Sequence, residues 1–258
     1  MSDAWLRALV ALPFGLVIGS FMTVAVHRLP LGESLVAPRS RCPACGAPIE
    51  PRDNVPVLSW LVLRGRCRRC GAPISVEYPL LELATAGLVV LAAIRHADPW
   101  RAGLVAGLLA MMPAIALIDL RHRIIPNRLT YPALLLFPVV IVVAWLAGGP
   151  VDPLAGLVGL GLFGGALFVV AVISRGMGMG DVKLAALVGL VLGSIGLRYV
   201  GVAAGAAIVL GGLGGVVALA MGRGRKSAIP FGPYLAAGAV VAGLWGDAIA
   251  DWYLQRFI

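Results

Sequence analysis

Residues 153–184 read "PLAGLVGLGLFGGALFVVAVISRGMGMGDVKL", and two features of this stretch decide the fold. The first 22 residues carry no charge, which is the length needed to cross about 30 Å of hydrocarbon. A glycine–methionine repeat then delivers a carboxylate, Asp181, to the mouth of a second apolar run. The rest of the chain follows the same pattern. Of 258 residues, 60% are hydrophobic and only 13% charged, where a soluble domain carries about 25% charge. Eight apolar runs stand out, at 4–26, 79–97, 100–118, 131–147, 153–174, 182–195, 199–221 and 230–250. The first, "AWLRALVALPFGLVIGSFMTVAV", is too long for the apolar region of a signal peptide and lacks a small-residue cleavage site, so it counts as a span. The expectation is an all-α polytopic membrane protein of about eight transmembrane helices, and the lipid bilayer is its first partner.

A net charge of +9 would suit nucleic acid, but in a membrane chain it reports sidedness, because basic residues collect in cytoplasmic loops. Eight spans put the loops 27–78, 119–130, 174–183 and 222–229 on one side, with 16 of the 21 Lys and Arg, among them Arg175, Arg223, Arg225 and Lys226. The other side, with both termini, holds Arg7, Arg95, Arg101, Arg198 and Arg256. The four richer loops are therefore placed in the cytoplasm. On that map Asp3, Asp98, Asp152, Asp247 and Asp251 lie outside, while Glu33, Glu50, Asp53 and Glu77 fall in the first cytoplasmic loop.

Glu82, Asp119 and Asp181 remain, at or inside the cytoplasmic ends of helices, where ionisable groups are costly and mark function. Asp119, in "AIALIDLRHRIIPN", and Asp181 are 62 residues apart yet share one membrane face. Two carboxylates held close share a proton, so one can draw a proton from water while the other protonates the carbonyl or the leaving amine. Gly178 and Gly180 would let backbone approach closely at the entry to the helix. The plainer alternatives are that Asp181 complements a helix dipole and that Asp119 pairs with Arg121 or Arg123. Lys183 reads as a cation reaching for the interface.

All four cysteines lie in the first cytoplasmic loop, in "RCPACGAPI" (41–49) and "RCRRCGAPI" (66–74). Each Cys-x2-Cys-Gly makes a tight turn that aims two thiolates at one point. Two such turns build a tetrahedral S4 site from Cys42, Cys45, Cys67 and Cys70, which suits structural zinc. A reducing cytoplasm argues against two disulfides, and a loop of about 50 residues needs such a staple. Between the knuckles, Trp60, Leu61 and Leu63 either cover the metal module or dip into the membrane interface, packing being the simpler role.

"GLVIGSF", "VHRLP", both knuckles, "NVPVLSWLVLRGRC", "ISVEYPLLELATA", "ALIDLRHRIIPN", "GMGMGDVKLAALVG" and "IPFGPYLAAGA" follow one another in an order that resembles the type IV prepilin peptidases, which are bifunctional leader peptidases and N-methyltransferases. The likeness runs from about residue 15 to 240, and Gly178-Met179-Gly180-Asp181 matches the Gly-x-Gly-Asp signature of intramembrane aspartic proteases. It implies removal of a basic leader from prepilins and pseudopilins of pilus and type II secretion systems, then N-methylation of the new terminus with S-adenosylmethionine, at the inner membrane. It further implies that Asp119 and Asp181 are catalytic and that the four cysteines hold zinc. The expected organisation is a first helix (1–26), a zinc-binding loop tied to methyl transfer (27–78) and a peptidase core (79–258). Glu82 and Gly65 are candidates for the methyl-donor site; alternatively Glu82 pairs with an arginine at a helix end and Gly65 is an ordinary turn glycine. The family often has Asn near Met22 and Thr23, and "LPD" where this chain has Ile125, Pro126 and Asn127. The first departure lies in the methyltransferase-associated segment, so the alternative is a peptidase that has lost methyl transfer. Two other classes compete. A transporter would carry acids at mid-membrane and a polar path outward, which the apolar outer halves of the spans lack. A non-catalytic zinc scaffold would tolerate loss of both aspartates.

Overall fold

A computed structural model describes residues 3–174, 176–222 and 230–257. Arg175, Arg223, Arg225 and Lys226, which contribute to the charge asymmetry, lie outside the described residues. The long helices are α1 (Asp3–Arg28), α3 (Glu77–Arg95), α4 (Pro99–His122), α5 (Asn127–Leu146), α6 (Pro153–Ser174), α7 (Met179–Ile195), α8 (Leu197–Ala220) and α9 (Gly232–Phe257). The short α2 (Leu58–Val62) and a single 3-10 turn at Pro51–Asp53 sit in the loop between α1 and α3. Among the described residues the only extended pairing is one isolated bridge in each knuckle. All eight apolar runs of the sequence are helices, and seven are long and apolar enough to span a membrane.

The eighth, α7, has 17 residues and a length of about 26 Å, short of the hydrocarbon thickness. It can be short because protein rather than lipid surrounds it: 12 of its residues, Val182 and Leu184 through Ile195 except Ala186, are buried. α4 is the other inner helix, with Leu104, Leu108, Leu109, Met112, Ile115 and Ile118 almost wholly enclosed. A helix apolar on every side has no solvent-facing stripe and belongs inside a bundle. α8 stands at the periphery, with only 11% of its most apolar window buried.

The helices pack as three antiparallel pairs, α1 with α3, α6 with α7 and α8 with α9, and α4 bridges between α3 and α9. The α6–α7 seam is the most extensive and is made by glycines. Gly159 of α6 lies directly on the backbone of Gly189 in α7, and a Cβ on Gly193 would come within 2.8 Å of the Ala155 carbonyl oxygen. Small residues at such a seam let two helix backbones touch, which is how helices bind one another where no hydrophobic effect acts between them.

Helix ends differ from the sequence expectation in ways that matter. α4 continues to His122 instead of stopping at 118, so Asp119 sits in its last turn, where Arg123 closes the helix in a left-handed conformation and donates its N–H to the Asp119 carbonyl at 2.9 Å. α5 starts at Asn127, straight after Pro126, rather than at 131. α7 starts at Met179, with extended Gly178 as its cap, so Asp181 lies inside the first turn. α9 runs from Gly232 to Phe257, past the expected end at 250.

Candidate functional site

α4 and α7, the two innermost helices, carry Asp119 and Asp181 at the same end of the bundle. The carboxylates lie within electrostatic reach of each other. Asp119 is 5% exposed and is not paired with Arg121, whose guanidinium binds Glu77 at the start of α3. Its Oδ2 instead accepts the N–H of Gly232, the first residue of α9, at 3.0 Å. A Cβ on Gly232 would stand 2.6 Å from that oxygen, so only glycine admits the contact. Asp181 also has a glycine neighbour: its own backbone N–H donates to the Gly178 carbonyl at 3.1 Å, which closes the first turn of α7. Each aspartate thus stands at a helix N-terminus, Asp119 at that of α9 and Asp181 in the first turn of α7, a position whose dipole favours negative charge.

Gly180 has a second task. Its Cα faces Ile125, where a Cβ would come within 3.0 Å of the Ile125 Cβ, so the turn after α4 closes on the start of α7. Two residues after Asp181, Lys183 Nζ donates to Asn127 Oδ1 at 2.6 Å and lies 4.8 Å from the centre of the Tyr131 ring. The sequence reading gave Lys183 no partner and Asn127 no role. The structure joins them across the α5–α7 contact, one turn from Asp181. No spacing rule signals such a pair, because its two halves are 56 residues apart.

Acids at the opposite end have ordinary structural work. Asp98 caps α4 by accepting from the Arg101 N–H, Asp152 caps α6, and Asp247 and Asp251 bind Arg198. Asp119 and Asp181 have no cationic partner among the described residues.

The two knuckles are near copies. In the first, Cys42 N–H donates to the Ala47 carbonyl (2.8 Å) and Gly46 N–H to the Cys42 carbonyl (2.9 Å); in the second, Cys67 to Ala72 and Gly71 to Cys67 repeat both distances. Gly46 and Gly71 have φ of +68° and +71°, a region in which a side chain is strained. The four Sγ atoms lie within 4.8 Å of one another and all four cysteines are free thiols. Backbone N–H groups of Cys70 and Arg69 pull the Cys67 thiol down to about 6, and the thiolate is the form a metal binds. This donor set could hold zinc. Asp53 braces the module by accepting a bidentate pair from Arg68, at 2.8 Å from Nε and 2.7 Å from Nη2.

Trp60 and Gly65 meet inside the module: a Cβ on Gly65 would fall 2.9 Å from the Trp60 ring, and the indole N–H donates to the Ile74 carbonyl at 3.1 Å. Gly65 (φ +66°) is a turn glycine that makes room for this tryptophan. Glu82 is 8% exposed and has no arginine partner among the described residues; its Oε2 accepts the N–H of Val57 at 2.7 Å, fixing the start of α2 against α3. An open cleft of about 340 Å³ lies between the end of α1 and the first knuckle, lined by Arg28, Arg39, Ser40 and Asn54 among others; neither Glu82 nor Gly65 borders it.

The helical bundle carries, at one end, two carboxylates with no cationic partner among the described residues, and comparison with known proteins identifies the chain as a membrane enzyme. Residues 13–96 match the bacterial peptidase A24 N-terminal domain and residues 106–224 the type IV leader peptidase family. Three relatives carry the name prepilin leader peptidase/N-methyltransferase. That of Aeromonas hydrophila is 38% identical over 98% of this chain and 96% of its own length. That of Bacillus subtilis is 36% identical over 94% and 96%, and that of Pseudomonas aeruginosa 36% over 93% and 91%. No solved structure matches. The chain belongs to the type IV leader peptidase family and is a peptidase, and it matches its relatives over nearly their whole length.

Proposed function

We propose that the protein cuts the basic leader from type IV prepilins and pseudopilins by attack of water between Asp119 and Asp181, and methylates the new N-terminus. The observation that carries this reading is the pair itself: two carboxylates from different inner helices, within electrostatic reach of each other and without a cationic partner among the described residues. In the proposed cycle the pair shares one proton. The ionised member removes a proton from water, the hydroxide equivalent adds to the scissile carbonyl, and the protonated member donates to the carbonyl oxygen. Collapse of the tetrahedral adduct returns that proton and passes the other to the leaving amine, which regenerates the pair. The Gly232 amide holds the Asp119 carboxylate in place throughout. The peptide must be unwound locally to reach them, so a glycine at the cleavage point suits the site.

Zinc at Cys42, Cys45, Cys67 and Cys70 would be structural, since four thiolates leave no open position. S-adenosylmethionine, when bound, supplies the methyl group. Its assignment to the N-terminal half, near the buried Glu82 and the Gly65 turn, rests on family likeness together with the way Glu82 ties the module to α3. The corresponding organisation is residues 1–26 as first helix, 27–78 as the zinc-binding loop and 79–258 as the peptidase core. The 16-to-5 split of basic residues supports a cytoplasmic module and active site in a bacterial inner membrane.

The test uses the full chain in lipid discs with a prepilin that keeps leader and apolar helix. Asp119→Asn and Asp181→Asn should each lower cleavage by at least about 10³-fold, since neither residual carboxyl can serve both roles. Retained cleavage in both single variants would sink the dyad. Mass spectrometry of the product separates leader loss with a gained methyl from leader loss alone, the outcome expected of a peptidase without methyl transfer.

A further inference from the structure

Three large apolar residues on α2 have no protein neighbour to cover them among the described residues: Leu58, Leu61 and Val62 are exposed to 60, 57 and 75%. The rest of α2 is engaged. Ser59 Oγ accepts the Val55 N–H and donates to the Arg52 carbonyl, and Trp60 closes on Gly65 and Ile74. The exposure is therefore not a sign of a loose segment; α2 is held with one face open.

Its height is fixed as well. The bond from Val57 N–H to Glu82 places the start of α2 beside the second turn of α3, about 7.5 Å along that helix from Glu77. Leu80 and Leu83 of α3 are exposed at that level, as residues facing lipid are. The open face of α2 thus begins at the height where the lipid-facing surface of a span begins. In sequence it is followed at once by arginines. Arg52 and Arg68 of the same loop are paired, with Glu50 and Asp53. Arg64, Arg66 and Arg69 are exposed and have no ion-pair partner among the described residues. Apolar residues at the acyl boundary with unpaired cations beside them is the arrangement by which interfacial helices hold an anionic leaflet.

We propose that α2 and the turn after it form a lipid anchor, in which Leu58, Leu61 and Val62 enter the acyl boundary while Arg64, Arg66 and Arg69 bind the phosphate headgroups of anionic phospholipid. The anchor seats the four-cysteine module on the bilayer and ties its position to the lipid around it. Lipid suits this surface better than a substrate leader, which under the function proposed above is itself basic and would meet like charge. The inference rests on the membrane-spanning reading of the chain but not on the reaction.

The test places a benzophenone amino acid at Leu61 in the full chain, in discs of phosphatidylcholine alone or with roughly one-third phosphatidylglycerol, a content that gives the leaflet an anionic surface. After illumination, mass spectrometry should find a phospholipid adduct at that position, with yield about threefold higher in the anionic discs. Combined Arg64→Glu, Arg66→Glu and Arg69→Glu should remove the dependence on charge and leave an adduct. No lipid adduct, an adduct indifferent to phosphatidylglycerol, or an adduct to added prepilin in place of lipid would each overturn the anchor. Prepilin cleavage is measured in the same discs, so the two readings fail separately. Cleavage without a lipid adduct removes the anchor alone, and a charge-dependent adduct without cleavage supports the anchor and counts against the peptidase reading.

Discussion

The knuckle module and the aspartate pair are built in opposite ways. Each knuckle is nearly complete in nine residues: two cysteines, a glycine with positive φ and two short hydrogen bonds, all repeated 25 residues later with the same distances. The aspartate site has no local unit. It draws Asp119 from the end of α4, Asp181 from the first turn of α7, Gly232 from the start of α9 and Asn127 from the start of α5. A site made of local turns survives changes elsewhere in the chain, and one made of helix ends depends on how every pair of helices packs.

Metal removal probes the local half and has the largest expected effect. If the four thiols hold zinc as proposed, a chelator, or Cys67→Ser with Cys70→Ser, should release it and unfold residues 27–78, because metal binding and folding are one equilibrium in such modules. Metal analysis and the methyl count on the product should both fall to background while leader cleavage persists; parallel loss of cleavage would show that the two halves are not independent. Gly232→Ala probes the distributed half. Its Cβ has to displace the Asp119 carboxylate, and a misplacement of that order costs about 10²-fold in kcat. An unchanged melting temperature would assign the loss to the site rather than to the fold. Asn127→Ala removes one of the two hydrogen bonds that Lys183 donates, an exposed contact that touches neither aspartate, so the loss of cleavage should stay under about tenfold. Asn127→Asp should keep activity by turning the contact into an ion pair. A drop as large as that of Gly232→Ala would mean that the α5–α7 contact sets the geometry of the pair.

Acid provides the mildest probe. Hydrogen bonds from Arg68 hold the Asp53 carboxyl below the usual carboxylate range. A depressed pKa in the folded state stabilises above the unfolded value and is lost as pH falls through the folded one. The module should therefore loosen slightly between about pH 4 and lower values, and Asp53→Asn should abolish that pH dependence, as hydrogen exchange over residues 41–74 would register. The effect is small because the guanidinium is open to water.

The same contrast explains what could be read from the sequence. Spans and knuckles were legible because apolar run length and Cys-x2-Cys-Gly spacing are local signals. Sidedness put Asp119 and Asp181 at one face, yet nothing in either segment announced that Gly232 would sit on the Asp119 carboxylate. In "IPFGPY" Pro230 and Pro233 mark a broken helix start on the aspartates' face, which permits a place lining the cleft but specifies no contact. Glu82 was legible as a costly acid, whereas its partner, a backbone N–H on Val57, depends on a loop whose path no periodicity predicts. Lys183 looked like any interfacial cation until α5 supplied Asn127 and Tyr131.

The glycine seam between α6 and α7 carries one more implication. Backbones that lie directly on each other through Gly159, Gly189 and Gly193 leave no side-chain layer to shear. α7 is therefore keyed to α6 like a tongue in a slot, unable to slip by a turn without opening the whole contact. Since α6 is a full-length span and α7 a short one, the slot sets how far the tip of α7 stands from the bilayer centre. Asp181 rides on that tip, and the molecule thereby carries a fixed gauge of depth.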